Sequence, residues 1–268
     1  MTDDWVVAIP SYNRVKEVQE KTLATLKHYK IDRSRIYVFV ANEEQKTLYA
    51  EGIPKDLYGH LIVGVPGLRE VRNFIYDYFP LGKKFVSFDD DVSGILKLSG
   101  SKLVPLPSLK DLIKKGFAEC IKHNYHLWGV APIANAFFMK DTVSTDPKFL
   151  IGHMWGFISD KKFKHHLVWK DDYERCLFYS KQDGGVIRFN DIACKTKLGA
   201  KGGLNTPNEK RLQENKKSIQ YLMSKYPEYL RLNPRRPGEI LMKLRKLEPA
   251  AKGRRQTRKI KKNKEPIV

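Results

Sequence analysis

The sequence predicts an α/β protein, a mixed and mostly parallel sheet flanked by helices. Three observations predict it. Over the first 100 residues, short apolar runs alternate with charged segments of helical spacing. The runs close on turn residues, as in WVVAIP ending at Pro10 and GHLIVGVPG ending at Pro66 and Gly67. In a chain of 268 residues, a hydrophobic fraction of 41% is enough for a sizeable core.

The first half alternates regularly. WVVAIP (5–10) reads as a buried strand. VKEVQEKTLATLKHY sets Val15, Val18, Leu23 and Leu26 near one helical face. RIYVFVA, rich in β-branched and aromatic residues, is a second strand. KTLYAEG is a short helix closed by Gly52. GHLIVGVPG is a third strand, LREVRNFIYDYF a long helix stopped by Pro80 and Gly82, and KKFVSF a fourth strand.

The second half is less regular. SLKDLIKKGFAECIKHNY is an amphipathic helix with Ser108 as its N-cap. HLWGVAPIA and KFLIGHMWGFIS predict strands of a mixed region. KDDYERCLFYSKQDGG is a helix with acids in its first turn and a Gly-Gly stop. GVIRFNDIACKTK is a further strand, LGAKGGLNTP a Gly-rich loop and NEKRLQENKKSIQYLMSKY a polar, basic helix. The organisation is an α/β domain over 1–204, a basic helical extension over 205–248 and a disordered basic tail over 249–268.

The formal net charge is +20, and it is uneven: Lys201 to Val268 carries +14, leaving +6 for the first 200 residues. Clustered cations gain affinity for polyanions by releasing counterions from phosphates, so the charge points to a nucleic-acid partner. A solubilising tail is the plainer alternative. Cys120, Cys176 and Cys194 share no metal-type spacing and read as reduced, structural thiols. No apolar run approaches the roughly 18 residues of a membrane span, and MTDDWVV lacks a signal-peptide n-region. The expectation is a soluble protein of the cytoplasm or another intracellular compartment, without membrane contact.

Three carboxylates, Asp89, Asp90 and Asp91, follow the fourth strand directly. Ligands of open α/β sheets bind beyond the carboxyl ends of the strands. Ser11 to Arg14 and Asn42 to Glu44 lie at two other such ends. Strand alternation turns Asp89 and Asp91 to one side, where two carboxylates converge on a hard cation such as Mg2+ or Mn2+. Asp90 then points the other way, into a hydrogen-bond network or toward a sugar. A solvated acidic turn is the competing reading.

VAIPSYNR, followed by GLREVRNFIYDYFPLGKKFVSFDDDV, resembles the GT-A (Rossmann-like) fold of nucleotide-sugar glycosyltransferases, in particular the family 2 group. That group shows a Pro-Ser/Thr-Tyr-Asn-type turn, an Arg-Asn pair on a helix and a strand ending in an Asp-x-Asp metal site. KDDYERCLFYSKQDGG is similar to the family's Glu-Asp motif helix, with Asp171 in place of Glu. The matched segments span most of residues 5–200. More narrowly, FVANEEQ, FDDDVSGI, DDYE with GGVIRFN, and KGGL resemble the base J and TET-associated glucosyltransferases of hydroxymethylated pyrimidines in DNA.

The resemblance implies a nucleoside-diphosphate sugar donor, UDP-glucose by the narrower match, a divalent metal and a DNA acceptor. It implies that Pro10, Ser11, Tyr12, Asn13, Arg14, Asn42 and Glu43 flank the donor nucleoside. Arg72, Arg69 and Asn73 would reach its diphosphate. Asp89 and Asp91 would hold the metal, with Asp90 toward the donor. Asp172 would be the catalytic base, with Asp171 as the alternate. Lys201, Gly202 and Gly203 would let backbone approach the pyrophosphate. Each assignment has a plainer competitor: a strand-to-loop turn, a helix surface charge, acids set against a helix macrodipole, or a flexible loop. His153, His165 and His166 form no spaced metal motif, and Trp155, Phe157 and Trp169 read as core. Two rival functions remain at this stage. One is transfer to a glycan or protein acceptor. The other is a non-enzymatic nucleic-acid-binding module on a degenerate scaffold, against which the intact triplet and Asp172 argue.

Overall fold

The structure is a computed structural model that describes residues 4–196, 208–236 and 238–243. Lys201, Gly202, Gly203 and the tail 249–268 lie outside the described residues. The strands are β1 (Trp5–Pro10), β2 (Ile36–Val40), β3 (His60–Val63), β4 (Lys84–Phe88), β5 (Gly94–Ser99), β6 (Lys102–Pro105), β7 (Leu127–Ala131), β8 (Val143–Ser144), β9 (Met154–Ile158), β10 (Ile187–Lys195), β11 (Leu230–Leu232) and β12 (Ile240–Met242). The helices are α1 (Val15–Glu17), α2 (Ala24–His28), α3 (Glu43–Gly52), α4 (Leu68–Tyr78), α5 (Leu109–His123), α6 (Asp171–Asp183) and α7 (Asn208–Lys225). A π-helical stretch, Val18–Leu23, joins α1 to α2.

The main sheet has the order β3-β2-β1-β4-β9-β7-β10-β5-β6, with β8 paired to β10. β3, β2, β1 and β4 run parallel. β9 is antiparallel to both of its neighbours, β4 and β7. β10 returns parallel to β7, and β5 and β6 close the far edge as an antiparallel hairpin. This is the mixed, mostly parallel sheet with flanking helices that the sequence predicts. β1 is buried at all six positions because both faces are covered. Val7 and Ile9 enter one core cluster with Val18, Leu23 and Val38, while Val6 and Ala8 enter the other with Val71, Ile75 and Phe85. The carboxyl ends of β1, β2 and β4 therefore open on one edge, and they carry Ser11–Arg14, Asn42 and Asp89–Asp91.

Several boundaries differ from the sequence reading. α3 starts at Glu43, earlier than KTLYAEG suggests, because the Asn42 Oδ1 accepts from the Gln45 amide at 2.9 Å and caps the helix. KFLIGHMWGFIS forms a strand only over Met154–Ile158. Beyond α7 the basic extension turns back as the β11–β12 hairpin. Ile219, Leu222, Tyr226, Leu230 and Ile240 from this extension pack on Leu177 of α6.

Trp128 on β7 is fully buried and meets Phe117 and Phe189 edge-on. Its indole fills the space that side chains at two glycines would need. A Cβ at Gly116 would lie 2.5 Å from the ring, and one at Gly156 would overlap it. Gly156→Ala is expected to destabilise the fold by about 1–3 kcal/mol through overpacking, read as a lower denaturation midpoint. Gly82→Ser, in open space, should cost less, with only the strain of its positive φ to bear.

Candidate active site

The turn after β4 is held by its backbone, which leaves its side chains free for other contacts. Thr22 Oγ1, in the π-helical stretch, donates to the Asp89 carbonyl at 2.7 Å and accepts from the Val92 amide at 3.0 Å. Thr25 Oγ1 donates to the Val92 carbonyl at 3.0 Å. The Asp89 amide donates to the His153 carbonyl at 3.0 Å, which ties the turn to the approach of β9.

Asp90 points inward. Ser11 Oγ donates to its Oδ2 at 2.7 Å, and an Arg14 NH group donates to its Oδ1 at 2.7 Å. The Tyr49 hydroxyl of α3 lies 2.7 Å from Ser11 Oγ and accepts from the Arg14 amide at 3.1 Å. Asn13 takes a left-handed conformation, φ 54°, which Asn tolerates better than most residues. Its side chain and amide exchange two hydrogen bonds with the Gln45 amide group, at 2.7 and 2.9 Å. The loop after β1 is thus fixed by α3 and by Asp90. Burial, opposed by Ser11 and Arg14, pushes the Asp90 carboxyl up to about 6.

Asp89 and Asp91 stay more open, with side-chain exposures of 29% and 19% against 8% for Asp90. A second Arg14 nitrogen lies 3.3 Å from Asp91. An Arg72 NH group lies 3.4 Å from Asp89, and the other forms a close ion pair with Asp171, at 2.6 Å, without hydrogen-bond alignment. Arg72 is buried. Burial opposes its charge, but Asp171 and Asp89 outweigh that and raise its pKa. Arg72 therefore joins the end of β4 to the first turn of α6. It points onto two carboxylates, where the sequence reading aimed it at a diphosphate.

Asp172 follows Asp171 in that turn and accepts from the Tyr173 amide at 2.8 Å. Burial and the Asp171 charge push its carboxyl up to about 6, while Arg175 and Arg72 favour the ionised form. Sequence reasoning missed Arg175. It is fully buried and lies over the Trp155 ring at 4.0 Å.

Other expected residues serve the scaffold. Asn73 exchanges two hydrogen bonds with the His165 backbone, at 2.9 and 2.7 Å, and so latches the loop before α6. Arg69 turns to Glu70 and to the His166 carbonyl. Asn42 is a helix cap, and Glu43 pairs at the surface with Lys46. Pro10 is buried, while Tyr12 is 56% exposed on the cleft loop. Trp155 and Phe157 are core, as expected, but Trp169 is half-buried and lines a cavity beside Asp172. No spacing rule marks that position, because the cavity needs α7 and the hairpin to exist.

Among the described residues, no three His, Cys, Asp or Glu side chains group to hold a metal. The donor set still fits a hard divalent cation, which takes one or two carboxylates and completes its shell with water and substrate phosphates. Within the triplet, Asp89 and Asp91 are the two carboxylates whose side chains reach solvent.

No family model matches the chain, and no curated protein matches it. Solved structures do. A mannosyltransferase from Pyrobaculum calidifontis, in complex with GDP-Man and Mn2+, aligns with a TM-score of 0.55 and 14% identity, covering 83% of this chain. The chain spans 64% of that protein's length. Glucosyl-3-phosphoglycerate synthase from Mycobacterium tuberculosis, in complex with Mn2+, UDP and glucosyl-3-phosphoglycerate, aligns with a TM-score of 0.48 and 10% identity, covering 84% of this chain and 80% of that one. The chain has the GT-A fold, and its structure is like those of nucleotide-sugar glycosyltransferases. Among the described residues, no helix is long and apolar enough to cross a membrane.

Arg14→Met should leave Asp90 buried without its cation and destabilise the fold by about 3 kcal/mol, measured by chemical denaturation. Adding Asp90→Asn to that variant should recover part of the loss, because the uncompensated charge is then gone.

Proposed function

We propose that the protein is a metal-dependent glycosyltransferase that moves glucose from UDP-glucose to the hydroxymethyl group of a modified pyrimidine in DNA. One observation carries the reading. Of the two open carboxylates at the end of β4, Asp89 is linked through Arg72 to the α6 turn that bears Asp172, and Asp91 is held by Arg14. The GT-A fold supports a nucleotide-sugar donor. The +14 over residues 201–268 and the narrower motif resemblance support a nucleic-acid acceptor.

Asp89 and Asp91 would hold Mn2+ or Mg2+, which supplies charge neutralisation at the diphosphate. Tyr12 and the fixed loop Ser11–Arg14 line the donor side. Asp172 takes the proton of the acceptor hydroxyl as that oxygen bonds to the anomeric carbon. The bond from the anomeric carbon to the diphosphate oxygen breaks, and UDP leaves with the electron pair. Displacement from the opposite face inverts the anomeric configuration. A carboxyl near 6 suits a base at neutral pH, because it is ionised yet still basic enough to accept.

The direct test is mass spectrometry of oligonucleotides with hydroxymethyluracil or hydroxymethylcytosine after incubation with UDP-glucose and Mn2+. A gain of one hexose per modified base is expected. Hexose on a glycan or peptide with none on DNA would replace the acceptor assignment. Chelation should abolish transfer, and Mn2+ should restore it.

Asp172→Asn should lower turnover by roughly 100- to 10,000-fold with little change in donor affinity. The sign of the pH dependence follows from its role. Below about 6 the carboxyl is protonated and cannot accept, so turnover should fall about tenfold per pH unit. The Asn variant should lose that limb in a pH–rate profile.

A further inference from the structure

We propose that the cavity beside Asp172 is the acceptor subsite, and that it takes an unpaired base of a nucleic-acid strand with the adjoining phosphate on Arg211. The proposal rests on the transferase reading and deepens it.

The cavity holds about 570 Å3 and is lined by Trp169, Lys170, Asp172, Tyr173, Arg211 and Glu239 among others. Three elements build it: the first turn of α6 with the two residues before it, the start of α7, and the residue before β12. Its two aromatic walls are braced from behind. The Tyr173 hydroxyl donates to the Ile240 carbonyl at 3.2 Å, and Phe149 packs on its ring at 4.3 Å between centroids. Arg211 lies 5.0 Å from the centre of the Trp169 ring.

The charges decide the ligand class. Lys170 is satisfied by Glu239 at 2.7 Å, so that pair contributes little net charge. Arg211 is exposed and pairs with no carboxylate among the described residues. The wall thus offers two aromatic rings with cations over them, a guanidinium without a carboxylate partner among the described residues, and the Asp172 carboxylate. A neutral sugar could lie on the rings but would leave Arg211 unused. A nucleotide unit meets all three: its base stacks, its phosphate pairs with the guanidinium, and a hydroxyl on the base reaches Asp172. Aromatic platforms beside cations are the general means of holding single strands. A base within a duplex must leave the stack to enter such a cavity.

Trp169 also provides the readout. The chain has four tryptophans, and Trp5, Trp128 and Trp155 are buried at 3%, 0% and 2%. Ligand-induced quenching of intrinsic fluorescence therefore reports chiefly on Trp169. The experiment titrates the full chain, without donor, with an unmodified single-stranded oligonucleotide, an abasic strand of equal length and a neutral oligosaccharide. Binding is followed in parallel by anisotropy of the labelled strands. The expected result is quenching by the oligonucleotide, binding of the abasic strand without quenching, and no quenching in Trp169→Phe. Arg211→Gln should weaken oligonucleotide binding roughly tenfold and reduce the log–log salt slope by roughly 0.7. Oligonucleotide binding by anisotropy with no Trp169-dependent quenching would overturn the subsite and leave DNA as acceptor. Quenching by the oligosaccharide, with no binding of either strand, would overturn both the nucleotide ligand and the DNA reading.

Discussion

Asp90 is a carboxylate removed from water, and its partners organise the site. A buried anion persists only where hydrogen bonds and a counter-charge replace its hydration. Ser11 and Arg14 supply both. They come from the loop after β1, and Tyr49 and Gln45 bring α3 onto the same loop. One inward carboxylate thus ties the end of β4 to the loop after β1, and α3 holds that loop from its other side. It also sets the direction of its neighbours: with Asp90 held inside, Asp89 and Asp91 keep partly solvent-exposed side chains.

Arg72 extends the arrangement to the first turn of α6. It is buried between Asp89 and Asp171, so α4, β4 and α6 meet at one guanidinium. Removing Arg72 would leave the buried Asp171 without its cation, which is far costlier than losing a surface pair. The residues proposed to hold a cation and to accept a proton are therefore placed by a scaffold of ion pairs. The basic extension adds the remaining wall through Leu222 and Ile240 packed on Leu177.

Much of this was legible in the sequence, for physical reasons. Apolar runs such as WVVAIP and KKFVSF are continuous because their strands are buried on both faces, so strand positions and parallel order could be read. The opposed direction of Asp90 followed from a period of two. Polar side chains were harder. Asn73 latches a loop, Asn42 caps a helix and Arg72 joins two carboxylates, partners that a linear motif does not show, and their contacts to a donor stay a proposal. These roles depend on residues 3 to 99 positions away, which no local pattern encodes. The β5–β6 and β11–β12 hairpins escaped because β6, β11 and β12 have only three or four residues, too few to show a period. Trp169 reads as core in the sequence because the cavity it lines also needs residues of α7. Lys201, Gly202 and Gly203 lie outside the described residues, and their role stays a proposal.

The central claim is that Asp90 frees Asp89 and Asp91 to share a cation with a nucleoside diphosphate. Electron paramagnetic resonance of free Mn2+ tests it without any turnover. The account predicts that wild-type protein lowers the free-ion signal, that UDP strengthens the effect, and that Asp91→Asn with UDP leaves the signal near that of buffer. A wild-type protein that leaves the signal unchanged with UDP present, or an Asp91→Asn variant that binds as tightly as wild type, would contradict it.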